Sequence, residues 1–224
     1  MTANLHDFCP PVRRSVRAFT LIELLTVIAI IGVLAGLTLG IAAAAKSARI
    51  NGRAKAELQQ LQSAIESYKG DRHAYPPDHK LAAGSPNKVD PVINQLFYEL
   101  RGTEVVSGQF RPRGGGEAVT PAQIQQVFGR GGFLNASQDA NEPSRSYLDI
   151  KPSSIARVDV KGATVQLLVS PFEWPRNADE PAPLAGSVAN PWRYVSTSPT
   201  NNTGGFDLWT EVYVGKEKRI FKNW

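Results

Sequence analysis

Residues 19–45 read FTLIELLTVIAIIGVLAGLTLGIAAAA, a run of 27 residues whose only charge is Glu23. About 20 apolar residues suffice to cross a bilayer as a helix. The run therefore predicts a transmembrane segment close to the start of a 224-residue chain. Arg13, Arg14 and Arg17 precede it, and no further cation occurs until Lys46. Positive flanks stay on the cytoplasmic side, which places the leader 1–18 in the cytoplasm and the bulk of the chain outside. A secretory signal is the alternative, but its apolar core spans only about 7–15 residues and ends in a small-x-small site. Within the run Glu23 is anomalous, because an ionisable group near the start of a membrane helix is expensive and usually functional. It needs a partner. Gly32, Gly36 and Gly40 recur every four residues, which puts them on one helix face where another backbone can approach closely.

Beyond Lys46 the pattern changes. Ile50, Ala54, Leu58, Leu61, Ile65 and Tyr68 recur at spacings of three and four, with Arg53, Lys55, Glu57, Gln59, Gln60 and Glu66 between them. That is the stripe of an amphipathic helix continuing the apolar one. Gly70 supplies a stop and Tyr75-Pro76-Pro77 forbids continuation. A helix over 19–69 would extend roughly 75 Å at 1.5 Å per residue, with 19–45 in the membrane and 46–69 amphipathic.

Residues 70–224 then read as one globular head. A short helix is predicted from Asp90, as cap, through Pro91 to Leu100, and another from Pro121 to Phe128. Glycines at 108–116 and 129–132 mark a loop-rich insertion. Strand patterns follow at 156–160, 164–170, 192–196, 206–214 and 219–221, the first two joined as a hairpin near Gly162-Ala163. The expected fold class is α+β, a long N-terminal helix packed on an antiparallel sheet that covers its stripe.

The nine residues Arg17 to Leu25, RAFTLIELL, resemble the cleavage and methylation motif of the type IV pilins and type II secretion pseudopilins. The resemblance implies a pilin-like fold and a prepilin peptidase that cuts between Ala18 and Phe19 and N-methylates Phe19. It also implies a Glu23 that stays in the membrane as an anion. A freed amine at Phe19 is cationic, so Glu23 of one subunit can neutralise the N terminus of the next in a fibre core, where an unpaired charge costs several kcal/mol. The family has Gly before the cut, where this chain has Ala18, and Pro where it has Gly40. The helix-then-Tyr75-Pro76 junction, Asn190-Pro191-Trp192-Arg193-Tyr194, Gly205-Phe206-Asp207-Leu208-Trp209-Thr210 and the closing Asn223-Trp224 resemble the major pseudopilin. By that resemblance Asp207 and Thr210 are the calcium candidates, although Tyr213-Val214-Gly215 stands where the family has a further carboxylate. Calcium is otherwise not expected, and no other cofactor is.

Composition excludes several chemistries. The only cysteine, Cys9, lies in the leader, so the rest can form no disulfide or thiolate site. Net charge is +5, of which the leader holds +2, too little to argue for nucleic acid. His73 and His79 are six apart across the Pro-Pro turn, fit no zinc spacing, and read as solvated loop residues. The glycine-rich 113–116 and 129–132 lack the Lys-Ser/Thr of a phosphate loop, and no nucleophile elbow occurs. The chain is expected not to be an enzyme. It is expected to be a single-pass inner-membrane subunit with a periplasmic head, polymerising in a type II secretion pseudopilus with copies of itself and other pseudopilins. The lipid bilayer, an assembly platform and its ATPase are the further partners. The alternatives are a pilin or minor pilin of a type IV pilus or competence filament, and an anchored binding protein that uses a prepilin signal without polymerising.

Overall fold

The computed structural model describes residues 19–79, 89–139 and 143–224, with the side chains of all of these except 37–43. The chain divides into two compact units, Met1–Ser47 and Ala48–Trp224, and helix α1 (Leu21–Arg72) supplies residues to both. The predicted stop at Gly70 is overtaken: α1 passes through Gly70 and ends at Arg72. The left-handed residue that closes it is His73, at φ 58, whose N–H donates to the Lys69 carbonyl at 2.8 Å. Lys69 and Arg72 occupy the last turn, where cations oppose the negative end of the helix dipole.

In the second unit the predicted stripe is the floor of the core. Of its residues Ile50 is half-buried and Ala54, Leu58, Leu61, Ile65 and Tyr68 are buried, and Ala64, outside the predicted stripe, is buried with them; Ile65 and Tyr68 are buried completely. Burying a side chain of that size stabilises by about 1.5–3 kcal/mol, so the stripe alone anchors the surrounding elements. Ala54 packs with Val212 and Phe221, and the residues from Leu58 to Tyr68 join the main core.

The expected single sheet is three small ones. Strands β1 (Thr103–Val106), β2 (Gln109–Pro112) and β3 (Ala136–Ser137) form one, in the order β2-β1-β3 with β1 and β3 parallel. β4 (Ile155–Val160) and β5 (Ala163–Leu168) form an antiparallel hairpin, as the sequence predicted. β6 (Arg193–Val195), β7 (Asp207–Val214) and β8 (Glu217–Lys222) form an antiparallel sheet in chain order. The second and third sheets are stitched rather than fused. Trp192 N–H donates to the Leu168 carbonyl at 3.0 Å and Ser170 N–H to the Asn190 carbonyl at 2.8 Å, and Pro191, lacking an N–H, interrupts the ladder there.

Among its described residues the insertion carries two short helices and a β-hairpin between its loops. The β1–β2 hairpin turns at Ser107-Gly108, with φ of 52 and 75, the pair of positive values that a type I′ turn requires. Helix α2 (Leu96–Arg101) starts later than predicted. Asp90 Oδ1 accepts the Val92 N–H at 2.9 Å, but Asn94 Nδ2 is drawn to the Trp192 carbonyl at 2.7 Å and Tyr194 N–H to the Pro91 carbonyl at 2.9 Å. Those tertiary bonds hold 90–95 in an irregular path. Helix α3 (Pro121–Phe128) matches its predicted bounds, with a Thr120–Gln123 capping box and a left-handed Gly129 after it. Tyr98, Phe128 and Phe133 are buried together, with Tyr98 and Phe133 stacked at 4.3 Å. His79 is also buried, against Phe128, which overturns its reading as solvated, and burial holds its pKa below the ordinary histidine value.

One buried carboxylate ties α1 to this inserted segment. Glu99 is fully buried in α2. It accepts from Tyr68 OH, Leu134 N–H and Asn135 N–H, all at 2.8 Å, and burial pushes its pKa up. Arg72 reinforces the loop by donating to Asn135 Oδ1 at 2.7 Å. Glu99→Ala would leave the Tyr68 hydroxyl and the Asn135 N–H buried without an acceptor, at about 1–3 kcal/mol each, and would release the more exposed Leu134 N–H. Removing a desolvated charge offsets part of that. The expected net loss is about 3 kcal/mol, read as a lowered thermal midpoint of the detergent-solubilised chain together with faster amide exchange at 134–135.

Candidate functional site

The first unit presents the motif residues on the open start of α1. Ala18 lies outside the described residues, while Phe19 is 77 % exposed. Thr20 and Glu23 close a reciprocal cap. Thr20 N–H and Oγ1 donate to Glu23 Oε2 at 2.9 and 2.7 Å, and Glu23 N–H donates to Thr20 Oγ1 at 3.3 Å. This is the capping box, in which a Thr and a Glu three residues later satisfy each other's orphan N–H groups. The spacing Thr-x-x-Glu was legible in sequence, but Glu23 carries a second reading as a membrane anion that obscured it.

From Leu21 to Leu34 the large apolar side chains are exposed at 46–81 %, at adjacent as well as helically spaced positions. The helix thus has no polar face in this stretch, and a helix that is apolar all round is normally buried by lipid or by other chains. Gly32 and Gly36 have nothing within 4 Å of where a Cβ would stand, so their face is open to a neighbour. Gly40 lies in α1, with its surroundings outside the described side chains. Among the described residues no helix is long and apolar enough to cross a membrane. The described side chains of this stretch end at Gly36, and the sequence continues it as Leu-Thr-Leu-Gly-Ile-Ala-Ala over 37–43.

In the second unit the remaining motif residues converge as structural pins. Tyr194 OH and Ser196 Oγ both donate to the Pro76 carbonyl, at 2.8 and 2.9 Å, and Tyr75 meets Phe206 edge-on at 5.2 Å. Asn190 Nδ2 donates to the Glu211 carbonyl at 2.6 Å. Asn223 uses its amide on both sides, donating to the Phe206 carbonyl at 2.9 Å and accepting the Leu208 N–H at 2.9 Å. Trp224 then packs edge-on against Trp209 at 5.7 Å. The Tyr-Pro junction, β6, β7 and the terminus are therefore one construction that locks the end of α1 to the last sheet. Asp78, which the sequence did not single out, serves it too. Its carboxylate accepts Ser196 N–H, Thr197 N–H and Thr197 Oγ1 at 2.8, 2.7 and 2.5 Å.

The two calcium candidates are not brought together. They are three apart on β7 and so face opposite sides. Thr210 is buried with Leu208 and Val212 towards α1, and its hydroxyl finds no partner. Asp207 instead ties down the preceding loop. It accepts from the N–H groups of Thr200, Asn201 and Asn202 at 2.9, 3.0 and 2.9 Å, and from Asn201 Nδ2 at 3.0 Å. Burial pushes its pKa up, but these donors outweigh burial and hold it below the ordinary aspartate value. Among the described residues no cluster of three or more His, Cys, Asp or Glu side chains could hold a metal.

Residues 13–39 match the prokaryotic N-terminal methylation motif. The match makes this N terminus similar to those of type IV pilin-like proteins, and supports a membrane-anchored start, processing by a prepilin peptidase and pilin-type assembly in general. No curated protein and no solved structure matches the chain.

Because its folded pKa is lowered, Asp207 adds stability above the unfolded aspartate value, and that stability is lost as pH falls through the folded one. Asp207→Asn should therefore cost about 1–3 kcal/mol at neutral pH, with the gap to wild type closing in strong acid. Calcium and EDTA should leave the wild-type midpoint unchanged. A calcium-dependent rise of many degrees would show that the loop opens to bind the ion.

Proposed function

We propose that this chain is a structural, non-catalytic subunit of a type II secretion pseudopilus. It is cut between Ala18 and Phe19, methylated at Phe19, held in the inner membrane by 19–45 and assembled there with its head in the periplasm. The observation that carries the reading is the methylation motif on a helix start that is apolar on every side, which requires burial by lipid or by sister helices. The secretion subclass is supported by the single construction that Tyr75-Pro76, Asn190 to Tyr194, Phe206 to Thr210 and Asn223-Trp224 build at the end of α1. A pilin of a type IV pilus is the second reading. It is favoured by the folded insertion, whose α2, β1–β3 and α3 enlarge the head well beyond what packing on α1 requires.

In the assembled filament Glu23 neutralises the Phe19 amine of a neighbouring subunit. Glu23→Leu should then leave insertion and cleavage intact, because a charge is removed from an apolar segment and the peptidase acts at Ala18. Assembly should fail, since each amine would meet no anion, a loss of several kcal/mol per subunit. Intact mass should show both proteins starting at N-methyl-Phe19 and free of Cys9. Engineered cysteines in α1 should give crosslink ladders in wild type and only monomer in Glu23→Leu. Equal ladders from both would remove the role, and a chain retaining residues 1–18 in cells with active peptidase would remove the processing.

A further inference from the structure

Between Leu24 and Ala56 the chain contains no acidic residue, yet 46–56 reads KSARINGRAKA, with four cations in its first ten residues. Once the leader with Arg13, Arg14 and Arg17 is removed, these are the cations flanking the apolar run, and they lie on its non-cytoplasmic side. Retained positive charge is ordinarily cytoplasmic, so a basic segment here calls for an anion.

The fold adds to it within the second unit. Arg49, Arg53 and Lys55 are exposed on α1. They lie on either side of the Ile50–Ala54 face that packs on Val212 and Phe221. Strand β7 runs from Asp207 to Val212 beside Ala54 and turns at Gly215-Lys216, which carries the exposed Lys216 to the Ile50 end of this half of α1. Arg219 ties the hairpin there, donating to Asn51 Oδ1 at 3.1 Å. Some of this charge is answered locally. Glu57 pairs with Arg53 at 3.4 Å, Glu217 with Arg219 at 2.7 Å, and Lys218 is engaged by Glu180 and Glu211. No ion pair is formed by Arg49, Lys55 or Lys216 among the described residues.

We propose that this basic collar, with Arg49, Lys55 and Lys216 as its free cations, binds the phosphate headgroups of anionic phospholipids in the leaflet facing the head. The inference rests on the reading of 19–45 as a membrane anchor, which puts Arg49 only four residues of chain beyond the span. A lipid surface is favoured over a second copy because the stretch of a sister chain from Leu24 to Ala56 offers no carboxylate. Each cation near an anionic surface is worth about a fivefold gain in partitioning, so the collar would hold this part of α1 and the β7–β8 turn against the headgroups before assembly.

The test reconstitutes the full chain at one copy per nanodisc, in phosphatidylcholine alone or mixed with phosphatidylglycerol, and follows amide exchange at 47–56 and 214–218. Several-fold slower exchange in the anionic discs is expected. High salt should abolish the difference, as should Arg49→Gln with Lys216→Gln, and Lys216→Arg should retain it. Equal exchange in both lipids would overturn the proposal. So would protection that follows the number of copies per disc whatever the lipid, which would assign the collar to a subunit interface. A chain that enters neither disc would refute the anchor instead, and flotation with phosphatidylglycerol vesicles but not phosphatidylcholine vesicles would then still decide for or against the collar.

Discussion

A helix whose apolar side chains point in every direction cannot be satisfied by its own chain, and this constraint governs the rest of the molecule. Along α1 the composition shifts from all-round apolar, Leu21 to Leu34, to a stripe, Ala54 to Tyr68. The stripe is covered by the chain's own sheets and helices. The all-round segment is exposed among the described residues, and on the proposed reading it is covered by lipid or sister helices, so the motif at its start and the packing at the other end of α1 serve different purposes. Burial of apolar surface drives both, but one half of the helix stabilises the fold and the other makes the fold dependent on its surroundings.

Apolar burial is non-directional, and the precise seating of the head on α1 falls to buried carboxylates. Glu99, Asp78 and Asp207 each gather N–H groups of a segment outside the strands: Leu134-Asn135, Ser196-Thr197 and Thr200 to Asn202. A carboxylate offers several lone-pair sites at one point, so a single side chain can close a turn that would otherwise bury unpaired donors. Desolvating it is repaid only where the donors are complete. Asp207, with four of them, is held acidic, while Glu99 is buried so deeply that desolvation raises its pKa despite its three donors.

These pins mark the limit of what sequence showed. The stripe on α1, the bounds of α3 and the β4–β5 hairpin were readable because periodicity, a Thr-Pro start and a turn dipeptide are local signals. The start of α2 was misplaced because Asp90-Pro91 is a sound local cap overruled by bonds to Trp192 and Tyr194 about a hundred residues away. The β1–β2 hairpin was hidden by the many glycines around it, although Ser107-Gly108 carries its signal. His79 reads as a loop residue by its neighbours and is buried by Phe128, which no local pattern announces. The two calcium candidates lie on opposite faces of β7, a geometry that three-residue spacing on a strand already implies. The N-terminal motif, by contrast, is a linear signal that needs no tertiary context, and residues 13–39 match the methylation motif that the sequence resembled.

The capping box at Thr20 shows how one residue meets two demands. Inside the subunit, Glu23 satisfies the Thr20 N–H and hydroxyl, and both bonds fall on Oε2. The Glu23 carboxylate is thereby turned back along α1 towards its first residue, the end at which a neighbour's amine would have to arrive. A free glutamate in an apolar segment would extend to whichever polar surface lay nearest; one fixed by its own helix start is held at that end of α1, where the proposed pairing needs it. On the proposed charge pairing, the cap that stabilises the helix start would also orient the anion for the neighbour's amine, so the two would reinforce each other rather than compete.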